Sequence, residues 1–186
     1  MKIDILFLNN DLSDLEEYFD NQTIKEYCET HSFEGEKNQI LSVPPSYSKS
    51  QNLTFLVGLG ENKVDNNFYD IGTLIGSKIK SDAEIKFLNF EEEKNLIIDG
   101  ILYVQYKFNN YKSEDDSSIN NITFKDIDSS VNEIKKDSVF WVRDLINTPA
   151  LDKSPEEFID KVKELVDSSD IDCLLYTSPS PRDIGE

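Results

Sequence analysis

The side chains most able to do chemistry are Cys28 and His31, the single histidine of the chain. A lone cysteine on a helical segment reads as a small buried hydrophobe rather than a nucleophile, and an isolated histidine carries the same structural reading. Cys173 has no CxxC companion, so nothing in the spacing points to a disulfide or an oxidising compartment. One histidine without a cysteine pair leaves a structural zinc site short of ligands, and no GxSxG pattern supplies a serine nucleophile. Gly58-Leu59-Gly60 follows an apolar run, where glycines let backbone amides approach a pyrophosphate, but Lys63 stands where the third glycine of that fingerprint belongs. A tight strand-to-loop turn is the plain reading; a nucleotide or ADP-ribose-like ligand at this turn is the alternative. Glu91-Glu92-Glu93 suits the positive end of a helix dipole better than a metal. The polar run at 113–121 offers many oxygens but no glycine for an EF-hand turn, so it reads as an exposed loop.

Elements that would position these residues follow from periodicity. Apolar, β-branched runs predict strands at 2–8, 40–43, 53–58, 84–90 and 122–124, the first of them central. Pro44-Pro45 stops the short second strand and marks it as an edge. Helical spacing appears in two short pieces around 12–28, then at 67–79, 91–108, 131–146 and 155–166. Gly72 and Gly76 give the 67–79 helix a flat face, expected to pack on the sheet. In the 131–146 helix, Val131, Ile134, Val139, Val142, Leu145 and Ile146 are expected inward, with Trp141 a candidate for an interface. Ser154-Pro155-Glu156-Glu157 carries an N-cap, a first-turn proline and the glutamate of a capping box. Alternating strands and helices give an α/β fold, a three-layer α/β/α sandwich with a mixed sheet.

The 37 acidic side chains outnumber the 19 basic ones, for a formal charge of −18 and a pI near 4.3. Such a field repels phosphate backbones, which argues against nucleic acid. Apolar runs fall well short of the roughly 20 residues that span a bilayer. Asp4 interrupts the place where a signal peptide would be apolar, so a soluble cytoplasmic protein is expected.

Four segments, in order, resemble the N-terminal half of the leucyl aminopeptidase (cytosol aminopeptidase) family. They are Phe33-Glu34-Gly35-Glu36-Lys37-Asn38-Gln39, a glycine turn before a strand; Leu56-Val57-Gly58-Leu59-Gly60-Glu61, like its LVGLG strand end; residues 99–113, from Asp99-Gly100 to Tyr111-Lys112-Ser113, like its EGxxLGxYxFxxYKS helix; and Arg143-Asp144-Leu145-Ile146-Asn147-Thr148-Pro149-Ala150 with Ser154-Pro155, like its ARDLxNTPxNxxTP segment. Val104 and Leu151 depart from the family's usual Gly and Asn.

The resemblance implies a macro-domain-like, non-catalytic α/β domain over 1–146, an interdomain segment and the start of a truncated catalytic domain over 147–172, and a parent enzyme that removes N-terminal amino acids from peptides. It further implies two divalent cations, zinc or manganese, and a homo-hexamer. The chain ends before the family's first expected metal ligand, so no residue is assigned a catalytic, cofactor-binding or metal-binding role, and the fragment is expected to be inactive. Residues 173–186 are set apart, because Cys173 to Asp183 resemble a translated sequencing adapter. The final helix is then expected to leave Phe158, Val162 and Leu165 uncovered. A stand-alone acidic α/β module binding a nucleotide or ADP-ribose is the competing expectation.

Overall fold

The computed structural model describes residues 1–61, 66–90, 93–109, 111 and 119–167. Five strands, Lys2–Asn9 (β1), Ile40–Val43 (β2), Leu53–Gly60 (β3), Ala83–Phe87 (β4) and Ile122–Phe124 (β5), form one sheet in the order β2-β3-β1-β4-β5. β1 runs parallel to both β3 and β4, and β4 parallel to β5. Only β2 is antiparallel, on the outer edge of β3, and Pro44 follows its last residue, where a missing N–H does least harm to a ladder. The sheet is therefore mixed, with β1 at its centre as its apolar run requires.

The described residues contain six α-helices: Leu15–Tyr18 (α1), Asn21–Thr30 (α2), Phe68–Lys78 (α3), Lys94–Tyr103 (α4), Ser130–Asn147 (α5) and Pro155–Asp167 (α6). Alternation along β1 sends Ile3, Ile5 and Phe7 into a cluster with Ile71 and Ile75 of α3 and Ile97 and Ile101 of α4. Leu6 and Leu8 turn the other way, onto Leu15, Phe19, Ile24 and Cys28. The result is the expected three-layer α/β/α arrangement. None of the helices is long and apolar enough to cross a membrane among the described residues.

Two compact units divide the chain, Met1–Val142 and Arg143–Glu186. In the second, Thr148 closes the end of α5 by donating both its N–H and its hydroxyl to the Asp144 carbonyl, at 2.9 and 2.7 Å. A 3₁₀ turn, Ala150–Asp152, follows. α6 then opens with the predicted reciprocal cap: Ser154 N–H donates to Glu157 Oε2 at 2.8 Å, and Glu157 N–H to Ser154 Oγ at 3.2 Å. Phe158 and Leu165 are exposed on α6 and Val162 is half-buried.

Several expectations need correction. Gly72 and Gly76 face α4, not the sheet: a Cβ at Gly72 would strike the Ile97 carbonyl oxygen, and one at Gly76 would lie 2.5 Å from Val104 Cγ1. Gly100 answers from α4, where a Cβ would meet the Tyr69 carbonyl oxygen and lie 2.9 Å from Gly72 Cα. The predicted 91–108 helix is shorter at both ends. Glu93 takes a left-handed φ of 52°, which breaks the helical path before Lys94, while residues 91 and 92 lie outside the described residues. At the other end Gln105 N–H bonds back three residues to Leu102, and its carboxamide donates to the Gly76 carbonyl at 2.9 Å.

The strand expected over 84–90 leaves its ladder after Phe87. Asn89 nonetheless extends the pairing with its side chain, accepting from Phe7 N–H at 3.0 Å and donating to Phe7 C=O at 2.7 Å, as a peptide group would. The buried face of α5 is only partly the expected one: Leu145 is buried and Val139 half-buried as expected, but Val131, Ile134, Val142 and Ile146 are exposed, while Asn132 and Phe140 are buried and Trp141 half-buried. The polar Asn132 fixes that orientation, because its Nδ2 donates to Asp99 Oδ1 at 2.7 Å and to the Asn95 carbonyl at 3.0 Å.

Candidate functional site

The residues singled out for chemistry do not converge. Cys28 is buried on α2, packed with Leu6, Phe19, Ile24 and Phe33. His31 is exposed at the end of the same helix, its Nδ1 at 2.8 Å from the Tyr27 carbonyl and its ring 4.1 Å from that of Tyr27. Burial, with a smaller contribution from the Glu29 charge, pushes the Cys28 thiol up to about 11. At pH 8 only roughly one thiol in a thousand is then ionised, against about a quarter for an unperturbed cysteine. In a Cys173→Ser background, a disulfide reagent at pH 8 is expected to leave Cys28 untouched until denaturant is added. Fast stoichiometric labelling of the folded protein would show that the thiol is accessible.

The glycine pair is engaged within the protein. A Cβ on Gly58 would collide with the Glu36 carbonyl oxygen, so glycine is required there by the close passage of residues 35–36 over β3. Gly58 N–H donates to the Gln39 carbonyl and Gly60 N–H to the Gly35 carbonyl, both at 2.9 Å. Gln39 Oε1 holds the same turn by accepting from the N–H groups of Glu34 and Glu36 at 3.0 and 3.2 Å. The amides that a pyrophosphate would need are already taken by the first of the resembling segments. Lys63 lies outside the described residues, as do residues 113–118 of the polar loop and the tail at 173–186.

No group of three or more His, Cys, Asp or Glu residues is placed to hold a metal among the described residues. The two cations implied by the resemblance therefore find no fitting donor set there, and no described side chain is assigned to them.

A cavity of about 500 Å³ opens on the α1 side of the sheet, over β1 and β4, and the sequence reading passed it by. Its floor is Asp4, the third residue of β1 and 2% exposed. The loop at 48–52 folds over this carboxylate: Ser50 Oγ donates to Asp4 Oδ2 at 2.5 Å, and Asn52 Nδ2 approaches both oxygens at 3.2 and 3.3 Å. Ser48 Oγ extends the chain to Ser50 Oγ at 2.8 Å. Tyr18 lies on the wall, its hydroxyl on the Leu88 carbonyl at 3.1 Å, and burial followed by the Glu17 and Asp14 charges raises its pKa above the usual phenol value. On the rim Lys49 caps α1, donating to the Glu16 and Glu17 carbonyls at 3.1 and 2.9 Å. The one signal in the sequence was an aspartate between two inward isoleucines, Ile3-Asp4-Ile5.

With this geometry in hand, comparison with known proteins gives the class of fold. No protein-family model matches the chain. A "Probable cytosol aminopeptidase" of Clostridium tetani (strain Massachusetts / E88) is 24% identical in an alignment of 179 positions that covers 84% of this chain and 37% of that protein. Among solved structures, a tomato leucine aminopeptidase variant superposes with a TM-score of 0.67 at 14% identity, over 90% of this chain and 39% of its own. The bottromycin maturation enzyme BotP gives 0.70 at 14% identity, over 95% and 39%. The chain thus has the α/β fold of an aminopeptidase N-terminal domain, as the motifs indicated. It spans a little over a third of the length of these relatives.

Proposed function

We propose that this chain is the N-terminal, non-catalytic part of a leucyl-type metalloaminopeptidase that removes N-terminal amino acids from peptides. The observation that carries this reading is the asymmetry of the match with the Clostridium tetani protein, which takes in 84% of this chain and 37% of that one. The Gly35 turn locked onto Gly58 and the α3–α4 glycine contact at Gly100 give physical roles to three of the four resembling segments. In this reading the domain supplies support, and two divalent cations, zinc or manganese, supply the hydrolytic chemistry in the remainder of the parent. BotP, one of the similar structures, has been solved in complex with Mn. A cytoplasmic homo-hexamer, and the division into 1–146, 147–172 and 173–186, belong to the same proposal.

The test has two arms. Long-read sequencing of the source DNA across the codons for residues 165–186 is expected to show a frame that continues beyond 172 into a carboxylate-rich segment. The protein encoded by that longer frame is expected to release p-nitroaniline from leucine p-nitroanilide with added Mn²⁺ or Zn²⁺, and the 186-residue chain to release none. A frame that encodes 173–186 and stops, with no peptidase activity, would instead favour the stand-alone binding module.

A further inference from the structure

We propose that the cavity floored by Asp4 binds a small zwitterion of the free amino acid class, its ammonium group on Asp4 and its carboxylate on Lys86 and Lys125. This assignment is independent of the peptidase reading, because it rests only on residues of the first unit. Asp4 is almost wholly buried, yet no cationic side chain lies within 4 Å of it among the described residues. A buried carboxylate without a cation is an expensive arrangement, and neutral donors offset it only in part. Its Oδ2 is served by Ser50 and Asn52, whereas among the described residues Oδ1 has only the 3.3 Å contact from Asn52, leaving acceptor capacity toward the cavity that Asp4 lines.

Positive charge stands beside this floor without reaching it. Lys86 is the β4 partner of Asp4 in the sheet register, so the two point to the same face on neighbouring strands. Lys125 follows directly on β5, and its N–H donates to the Ile85 carbonyl at 2.8 Å, which places it beside Lys86 on that face. Both lysines line the cavity, and neither makes an ion pair with the described residues. Two like charges side by side across adjacent strands repel one another. Glu84, two residues before Lys86 on the same face of β4, also lines the cavity but is paired with Lys2 at 3.9 Å, and Glu17 stands on the α1 wall, so neither forms an ion pair with Lys86 or Lys125. A negative floor beside a rim on which four lysines outnumber the two glutamates, with Lys86 and Lys125 unpaired among the described residues, is the complement of a molecule carrying both charges a few ångströms apart. A simple anion would meet Asp4, and a simple cation would meet the lysines.

Titration of the ¹⁵N-labelled 186-residue chain with L-alanine, acetate and methylammonium, at fixed ionic strength, tests this by backbone amide shifts. L-Alanine is expected to move the amides of Asp4, Ser50, Lys86 and Lys125 along one saturable curve, with acetate and methylammonium each binding at least about tenfold more weakly. Lys86→Gln, an exposed substitution, is expected to weaken alanine binding about tenfold, the size of one charge-assisted contact, with an unchanged melting temperature. Asp4→Asn is expected to abolish it. If that variant fails to fold, Lys125→Gln is expected to weaken alanine binding about tenfold, and an unchanged affinity would overturn the proposal. Equal binding of acetate or methylammonium alone, no saturation by alanine below molar concentration, or an affinity indifferent to Lys86→Gln would each overturn the proposal.

Discussion

Gly100→Ala is expected to lower the unfolding free energy by about 3 kcal/mol, near the upper end of the usual overpacking range. The added methyl group would overlap the Tyr69 carbonyl oxygen and sit 2.8 Å from the Thr73 nitrogen, both backbone atoms of α3 that no rotamer change can move. Gly72 faces Gly100 across the same contact, so neither helix can yield alone; they must separate, opening the cluster of Ile71, Ile75, Ile97 and Ile101 beneath them. Alanine's better helix propensity returns only about 1 kcal/mol, too little to compensate. Urea unfolding followed by circular dichroism should show the midpoint falling by roughly 1.5 M. Ser77→Ala, on the exposed side of α3, serves as the control and is expected to be neutral or slightly stabilising. A Gly100→Ala protein as stable as the parent would mean that the α3–α4 approach is looser than the structure has it.

That contact also marks the boundary of what the sequence made legible. The five strands, the central place of β1 and the edge position of β2 follow from β-branched runs and from Pro44-Pro45, because the sheet reads burial and lost donors directly. The Ser154–Glu157 cap was equally readable, since both of its bonds close within four residues. Helix ends set by a single residue's conformation or by a distant partner were not. Glu93 starts α4 through a positive φ, and Gln105 ends it through a bond to Gly76, 29 residues away in sequence. The glycines were visible as a flat face, but only the fold says that the face meets a helix rather than the sheet. Asp4 passed unnoticed for a related reason: its burial depends on Ser50 and Asn52, 46 and 48 residues downstream, and no local pattern encodes a loop folding back over a strand.

The turned face of α5, which keeps only Val139 and Leu145 of the six expected inward residues from solvent, makes the same point energetically and leads to the second large expected effect. Apolar spacing alone would bury Val131, Ile134, Val142 and Ile146, yet the helix turns these out and buries Asn132 at 2% exposure. The decisive partner is Asp99, only 7% exposed on α4, whose Oδ1 accepts from Asn132 at 2.7 Å while Lys135 reaches Oδ2 at 3.4 Å from a half-exposed position. Leaving that carboxylate without its buried donor is worse than leaving four aliphatic side chains in water, where each still keeps part of its surface covered. Asn132→Leu is therefore expected to destabilise by about 2–3 kcal/mol, although leucine is the more hydrophobic residue and the site is buried. Adding Asp99→Leu should recover most of that loss, because an apolar pair leaves no unsatisfied charge. The two substitutions would then couple by about 2 kcal/mol in a double-mutant cycle measured by urea unfolding. Simple additivity, with the double variant as unstable as the sum of the singles, would remove Asp99 as the anchor of α5 and leave the packing of Phe140 to account for its orientation.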